Sequence, residues 1–136
     1  MSLAAAIATL RELNEPVPRP FRLPTEAEVA TAERALGIQL PSDYRYFLLH
    51  ASDVAYGVLE PAVVIPDCGH LDLVKVVETA RQVGVPRDLL PFCEDNGDYY
   101  CSTLDGGIVL WSHDGLSSGS WPDLASWIQQ VWIGEN

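Results

Sequence analysis

The chain has 136 residues, with 19 acidic and 8 basic side chains, which gives a formal net charge of −11 at pH 7. This length predicts a single domain, 1–136, that buries roughly two-thirds of its unfolded surface and needs no disulfide or metal for stability. The charge argues against binding to nucleic acid or to an anionic membrane and favours a basic partner, although acidic composition also serves solubility alone.

The cysteines and the N-terminal segment predict a cytoplasmic protein. Cys68, Cys93 and Cys101 are odd in number and include no C-x-x-C pair, which is typical of reduced thiols. The first apolar run follows no basic region, so we expect no signal peptide. No window is long and apolar enough to cross a membrane.

Residues 1–23 predict a short helix followed by an extended arm. Leu3, Ile7 and Leu10 recur at i, i+4 and i+7, the spacing of one helical face. The prolines at positions 16, 18 and 20 then exclude a helix, because each fixes the backbone and removes an amide donor.

Two helices are predicted next, separated by a glycine stop and a Leu-Pro corner. Thr25 and Glu28 have the spacing of a capping box at the first helix start. Gly37 suits the left-handed position that ends a helix, and Pro41 suits the start of the next one. The inward face of that second helix is predicted to carry Tyr44, Phe47 and Leu48.

The middle of the chain predicts strand and then helix. Residues 55–65 are rich in β-forming side chains and are interrupted by Pro61, so we expect one or two strands there. Residues 70–83 predict a helix that stops at Gly84.

Residues 89–112 predict an antiparallel sheet. Asn96-Gly97 and Asp105-Gly106 are strong signals for two-residue hairpin turns. They separate predicted strands at about 89–94, 99–104 and 107–112.

The first turn also predicts a register. It pairs Asp95 with Asp98, Glu94 with Tyr99, Cys93 with Tyr100, and Phe92 with Cys101. Paired residues share a face of the sheet and neighbours along a strand do not. Cys93 and Cys101 are therefore expected on opposite faces, where they cannot form a disulfide.

The C-terminal segment predicts an amphipathic helix that docks on the sheet. Ser120 and Asp123 have capping spacing, with Pro122 in the first turn. The apolar stripe is predicted to consist of Leu124, Trp127, Ile128, Val131 and Trp132.

Two patterns resemble catalytic motifs without their required context. Residues 115–119 match G-x-S-x-G with Ser117 as the nucleophile, but that motif needs a later histidine and every histidine here comes earlier. His113 and Asp114 are adjacent, and neighbours along a strand point to opposite faces, so a turn is the better interpretation. We predict no catalytic residue and therefore no enzyme.

The candidate partner-binding residues are expected to lie close together around the two hairpin turns. Their acids suit either the hydrogen bonding of the turns themselves or an acidic protein-binding surface. A calcium site is not predicted, because the twelve-residue ligand pattern is absent, and no other metal or cofactor is expected. The set is Glu94, Asp95, Asp98 and Asp105 with the aromatic Tyr99.

Three segments in order carry a family resemblance. They are E-x-x-L-G-x-x-L-P-x-D-Y-x-x-F-L at 33–48, L-P-F-x-x-D-N-G-D-Y-Y-C at 90–101, and W-P-D-L-x-x-W-I at 121–128. Their order and spacing resemble the SUKH superfamily, which includes the fungal Smi/Knr cell-wall assembly regulators. The resemblance covers about 24–132, and the Asn-Gly-Gly that often follows the second helix is replaced at 51–55.

The resemblance implies an α+β fold, with helices packed on a mainly antiparallel sheet in one SUKH-like domain. Bacterial members are commonly immunity proteins that bind and neutralise toxins, often nucleases, whereas fungal relatives are regulatory scaffolds. The family has no accepted catalytic residues. We therefore expect a cytoplasmic immunity protein with a basic toxin as its partner, or alternatively a regulatory adaptor.

Overall fold

The structure is a computed structural model that describes residues 2–114 and 119–134 and has the predicted α+β architecture. In these residues, α1 spans Leu3–Leu13, α2 Glu26–Leu36, α3 Ser42–Ala51, α4 Leu73–Gln82 and α5 Leu124–Trp127, which continues as a π-helix over Ile128–Ile133. The strands are β1 Leu90–Asp95, β2 Asp98–Ser102, β3 Ile108–Trp111 and β4 Ser120–Trp121, and a 3₁₀ turn covers Gly69–Leu71.

The boundaries of α2 confirm the capping prediction. The Thr25 hydroxyl accepts from the Glu28 N–H, and the Glu28 carboxylate accepts from the Thr25 N–H at 2.9 Å. Hydrogen bonds from Arg22 and from Thr25 lower the pKa of Glu28 to about 2. Gly37 ends the helix at φ 71°, in the left-handed region. Pro41 lies immediately before α3.

The sheet is an antiparallel meander with the strand order β1-β2-β3-β4. Asn96 and Gly97 have φ angles of 53° and 88°, and positive φ at both positions is what a type I′ turn requires. The register confirms three of the predicted pairs: Asp95 with Asp98, Glu94 with Tyr99, and Cys93 with Tyr100.

The fourth predicted pair, Phe92 with Cys101, is wrong. A bulge between Pro91 and Cys93 makes Cys101 pair with Pro91 instead. The bulge allows both Phe92 and Cys93 to reach the main core, where Phe92 packs on Tyr44 at a ring-centroid distance of 5.3 Å.

Residues 55–65 do not form the predicted strands. Within this segment only Val63 makes a β-bridge, to Asp72. Core side chains hold the segment instead: the Tyr44 hydroxyl donates to the Ala62 carbonyl at 3.0 Å, and the Trp132 indole donates to the Tyr56 carbonyl at 2.9 Å. These bonds from core side chains to backbone carbonyls do not require a strand, so the β-propensity of the segment did not determine its structure.

The start of α5 corrects a third prediction. Ser120 lies in β4 and does not cap the helix. Asp123 is the N-cap, and its carboxylate accepts from the Ser126 N–H at 2.8 Å. The short β4 pairs with β3 and was not predicted.

The main core lies between the sheet and the helices, with Trp127 at its centre. The five residues of the predicted C-terminal stripe are each at most 2% exposed, which confirms that the stripe docks. The Trp127 ring contacts Phe92 and Tyr100 in edge-on geometry, at centroid distances of 5.1 and 5.2 Å. These contacts join the last helix to the first two strands.

A smaller cluster covers the other face of the sheet. It consists of Ala80 from α4, Val85, Tyr99 and Cys101. Cys93 belongs to the main core, so the two cysteines lie on opposite faces as predicted. All three cysteines are buried and unpaired.

No helix in the described part of the chain is both long enough and apolar enough to cross a membrane.

Replacing Trp127 with alanine should lower the free energy of unfolding by about 3–5 kcal/mol, because a large ring is removed from a packed core. Leu104, which is 85% exposed, provides the control, and Leu104→Ala should change stability by less than about 0.5 kcal/mol. Both values follow from urea unfolding. Equal midpoints for Trp127→Ala and the wild type would contradict this view of the core.

The three thiols should all be free but protected in the folded protein. Burial raises the pKa of Cys101 to about 12 and also raises those of Cys68 and Cys93, so little reactive thiolate forms at neutral pH. Alkylation in denaturant without reductant should add three labels, whereas the folded protein should react slowly. Loss of two labels in denaturant would show that a disulfide exists.

Candidate functional site

Three of the predicted acids meet at one end of the sheet, and the fourth lies at the other. Glu94, Asp95 and Asp98 flank the turn that joins β1 to β2. Asp105 lies in the turn that joins β2 to β3, at the opposite end of β2. The expectation that all four acids lie close together is therefore wrong, because consecutive turns of a meander fall at opposite ends of its strands.

His113 is bound to Asp98 and stabilises the first turn. Its Nδ1 lies 2.6 Å from the Asp98 carboxylate, and its backbone N–H donates to the same oxygen at 3.2 Å. These bonds lower the pKa of Asp98. Asp114 instead accepts from the Ser112 hydroxyl at 2.6 Å, so His113 and Asp114 do not form an acid–base pair with each other.

The remaining acids also make turn hydrogen bonds. Glu94 accepts from the Gly97 N–H at 2.8 Å, and Asp95 accepts from the side-chain amide of Asn96 at 3.4 Å. Asp105 accepts from the Thr103 hydroxyl, which lowers its pKa. Each carboxylate has two oxygens, so a turn bond at one oxygen leaves the other available to a partner.

A groove of about 830 Å³ lies between α4 and the end of β1, and we call it the hairpin groove. Three carboxylates line it: Glu60, Glu94 and Asp95. Its cationic side chain is Lys75, and His70 also contributes to the lining. Apolar lining comes from Val58, Val76, Phe92 and Tyr99.

Tyr99, the aromatic member of the predicted set, does not project from the surface. It is 5% exposed and packs in the smaller cluster, with its ring centroid 6.3 Å from that of Trp111. Burial raises the pKa of its hydroxyl. Tyr99 therefore contributes to a groove wall, and any contact with a partner is restricted to the part that lines the groove.

The residues on the opposite side of the groove were not predicted from the sequence. Glu60 and Lys75 come from segments that are separated from Glu94 in sequence, and all three side chains are exposed. The Ala62 N–H donates to the Phe92 carbonyl at 2.7 Å, which brings the 58–62 segment beside β1. No local pattern around Glu60 indicates this pairing.

The described residues contain no group of three or more His, Cys, Asp or Glu side chains that could hold a metal ion. The Ser117 pattern lies outside the described residues.

The comparisons with known proteins identify a family. The SUKH_5 family model, described as SMI1-KNR4 cell-wall, matches residues 3–133. A crystal structure of a protein from Pseudomonas syringae pv. tomato superposes with a TM-score of 0.91 at 43% sequence identity, covering 96% of this chain and 98% of that one. No curated protein matches the chain.

Asp98→Asn should destabilise the protein most near neutral pH. The folded-state pKa of Asp98 is below its ordinary value, so its charged form stabilises the fold above that value and this contribution is lost as pH falls through the folded pKa. The stability difference between wild type and variant should therefore shrink on acidification. It is measured by urea unfolding across the acid range.

Asp88→Asn is the control, because Asp88 is exposed and precedes β1, at the end of that strand away from this turn. At neutral pH, Asp88→Asn should lower the free energy of unfolding by less than Asp98→Asn does. A stability difference for Asp98→Asn that does not change with pH would contradict the proposed role of the His113 contact.

Proposed function

This chain belongs to the SUKH family, and we propose that it is a non-catalytic protein-binding module, an immunity protein that neutralises a basic toxin in the cytoplasm. The toxin class that best fits is a nuclease, because an enzyme that binds nucleic acid presents a positive surface. The observation that carries this proposal is the hairpin groove, where Glu60, Glu94 and Asp95 surround partly apolar walls.

The groove has the composition that a protein interface requires. Its polar rim carries three carboxylates, which are complementary to lysine and arginine side chains. Its walls include Val76, Phe92 and Tyr99, which offer apolar area to a partner. The net charge of −11 adds a long-range field that raises the rate of encounter with a basic protein.

The non-catalytic part of the proposal rests on how the polar groups are used. His113 and Asp98 bond to each other across a turn, and Glu94 accepts from the backbone of the same turn. The thiols of Cys93 and Cys101 are buried with raised pKa values, so neither is placed to act as a nucleophile.

A regulatory adaptor is the second candidate, and the description of the matched family favours it. The same groove would then bind a partner from the host cell rather than a toxin. The two functions differ in genetic context, because an immunity gene lies beside the gene of its toxin. Growth decides between them: deletion of an immunity gene should make the cell sensitive to that toxin, and loss of an adaptor should not.

Charge reversal in the groove should slow association with the partner. Glu60→Lys with Asp95→Lys should reduce the association rate roughly 10-fold at low salt and flatten its salt dependence, because exposed carboxylates act mainly on encounter. Glu12→Lys with Asp88→Lys makes the same change in net charge at exposed positions that do not line the groove. The measurement is binding kinetics with the product of the adjacent toxin gene.

The control pair should retain most of the wild-type association rate. If both double variants associate equally fast, the groove is not the binding surface.

A further inference from the structure

The free edge of β1 beside the hairpin groove provides backbone groups as well as charge. A type I′ turn makes Asp95 and Asp98 the hydrogen-bonded pair next to the loop. Bonded and non-bonded pairs alternate along antiparallel strands, so Glu94 and Tyr99 form a non-bonded pair. The N–H and C=O of Glu94 therefore point away from β2, on the side of β1 that has no neighbouring strand.

Two residues before Glu94, another segment of the chain already bonds to this edge of β1. The Ala62 N–H donates to the Phe92 carbonyl at 2.7 Å, as an added strand would. Pro61, the residue before Ala62, has no N–H to donate. Among residues 2–114 and 119–134, no residue outside the sheet bonds to the Glu94 peptide. The edge is thus occupied at Phe92 and open at Glu94.

We propose that the hairpin groove binds an extended basic segment of the partner, which pairs with the open peptide groups of Glu94 as an added strand. Side chains alternate along such a segment, so one set lies on the face of the sheet that carries Glu94 and the other on the face that carries Asp95. Lysine or arginine suits the set beside Glu94, because three carboxylates and one lysine line this groove. This inference rests on the proposed protein-binding function and specifies how the partner is recognised.

The test separates the backbone of Glu94 from its side chain. Glu94→Pro removes the outward N–H and the carboxylate, and proline is tolerated where an edge N–H faces outward. Glu94→Ala removes only the carboxylate. The probe is a synthetic peptide of alternating lysine and valine, followed by NMR of the protein amides.

The peptide should bind to the wild type and shift the amides of Glu94, Asp95 and Thr79. Glu94→Pro should bind it roughly 2- to 10-fold more weakly than Glu94→Ala does, the effect of one net hydrogen bond. A second measurement uses wild-type protein with the same peptide N-methylated at its central residues, which should bind more weakly than the unmodified peptide. If Glu94→Pro does not fold, the comparison of the methylated and unmodified peptides tests strand pairing by itself.

Three results would overturn strand pairing: no binding of the peptide, equal binding by the proline and alanine variants, or equal binding of the methylated and unmodified peptides. If the whole partner protein still depends on Glu60 and Asp95 in any of these cases, the proposed function stands and the partner docks through a folded surface. If the peptide pairs at Glu94 but no protein partner depends on the groove, the proposed function fails instead.

Discussion

The packing of Trp127 is the interaction on which the rest of the structure depends. Its ring contacts Phe92 of β1 and Tyr100 of β2, and its neighbour Trp132 lies 6.1 Å away between ring centroids. Phe92 reaches this cluster through the bulge in β1. Its carbonyl is then available at the edge of the sheet, where it accepts from Ala62. A core contact thereby fixes the position of a surface loop.

That loop forms the far side of the hairpin groove. Because Ala62 is held at β1, Glu60 lies across the groove from Glu94 and Asp95. The acids near the turn bond to the turn itself, and under the proposed function they also meet the partner. Hydrogen bonds to the turn order their side chains, and ordered carboxylates lose less conformational entropy when a partner binds. From the sequence, hydrogen bonding within the turns and partner binding were alternative explanations for these acids. In the structure the same carboxylates can serve both.

The sequence predicted those features that are set by neighbours along the chain. The capping box of Thr25 and Glu28, the turn at Asn96-Gly97 and the stripe around Trp127 were all recognised, because each depends on fixed spacing. The bulge at Phe92 was missed because it depends on room in the aromatic core rather than on the strand itself.

The candidate site was predicted only in part, because some of its residues are brought together by contacts between segments that are distant in sequence. Glu94 and Asp95 line the groove, whereas Asp105 lies at the other end of the sheet and Tyr99 is largely buried. Glu60 joins the site through a long-range backbone bond, and no local pattern encodes that bond. Proximity in sequence was therefore a good guide within one hairpin and a poor one between two hairpins.

Hydrogen exchange of the chain, free and bound to its partner, tests the central claim that the hairpin groove is the binding surface. The account predicts slower exchange on binding in 92–98 and in 70–79, the segments that border the groove. Slower exchange confined to 38–42 and 102–104, which line a separate cavity, would contradict it and place the interface elsewhere.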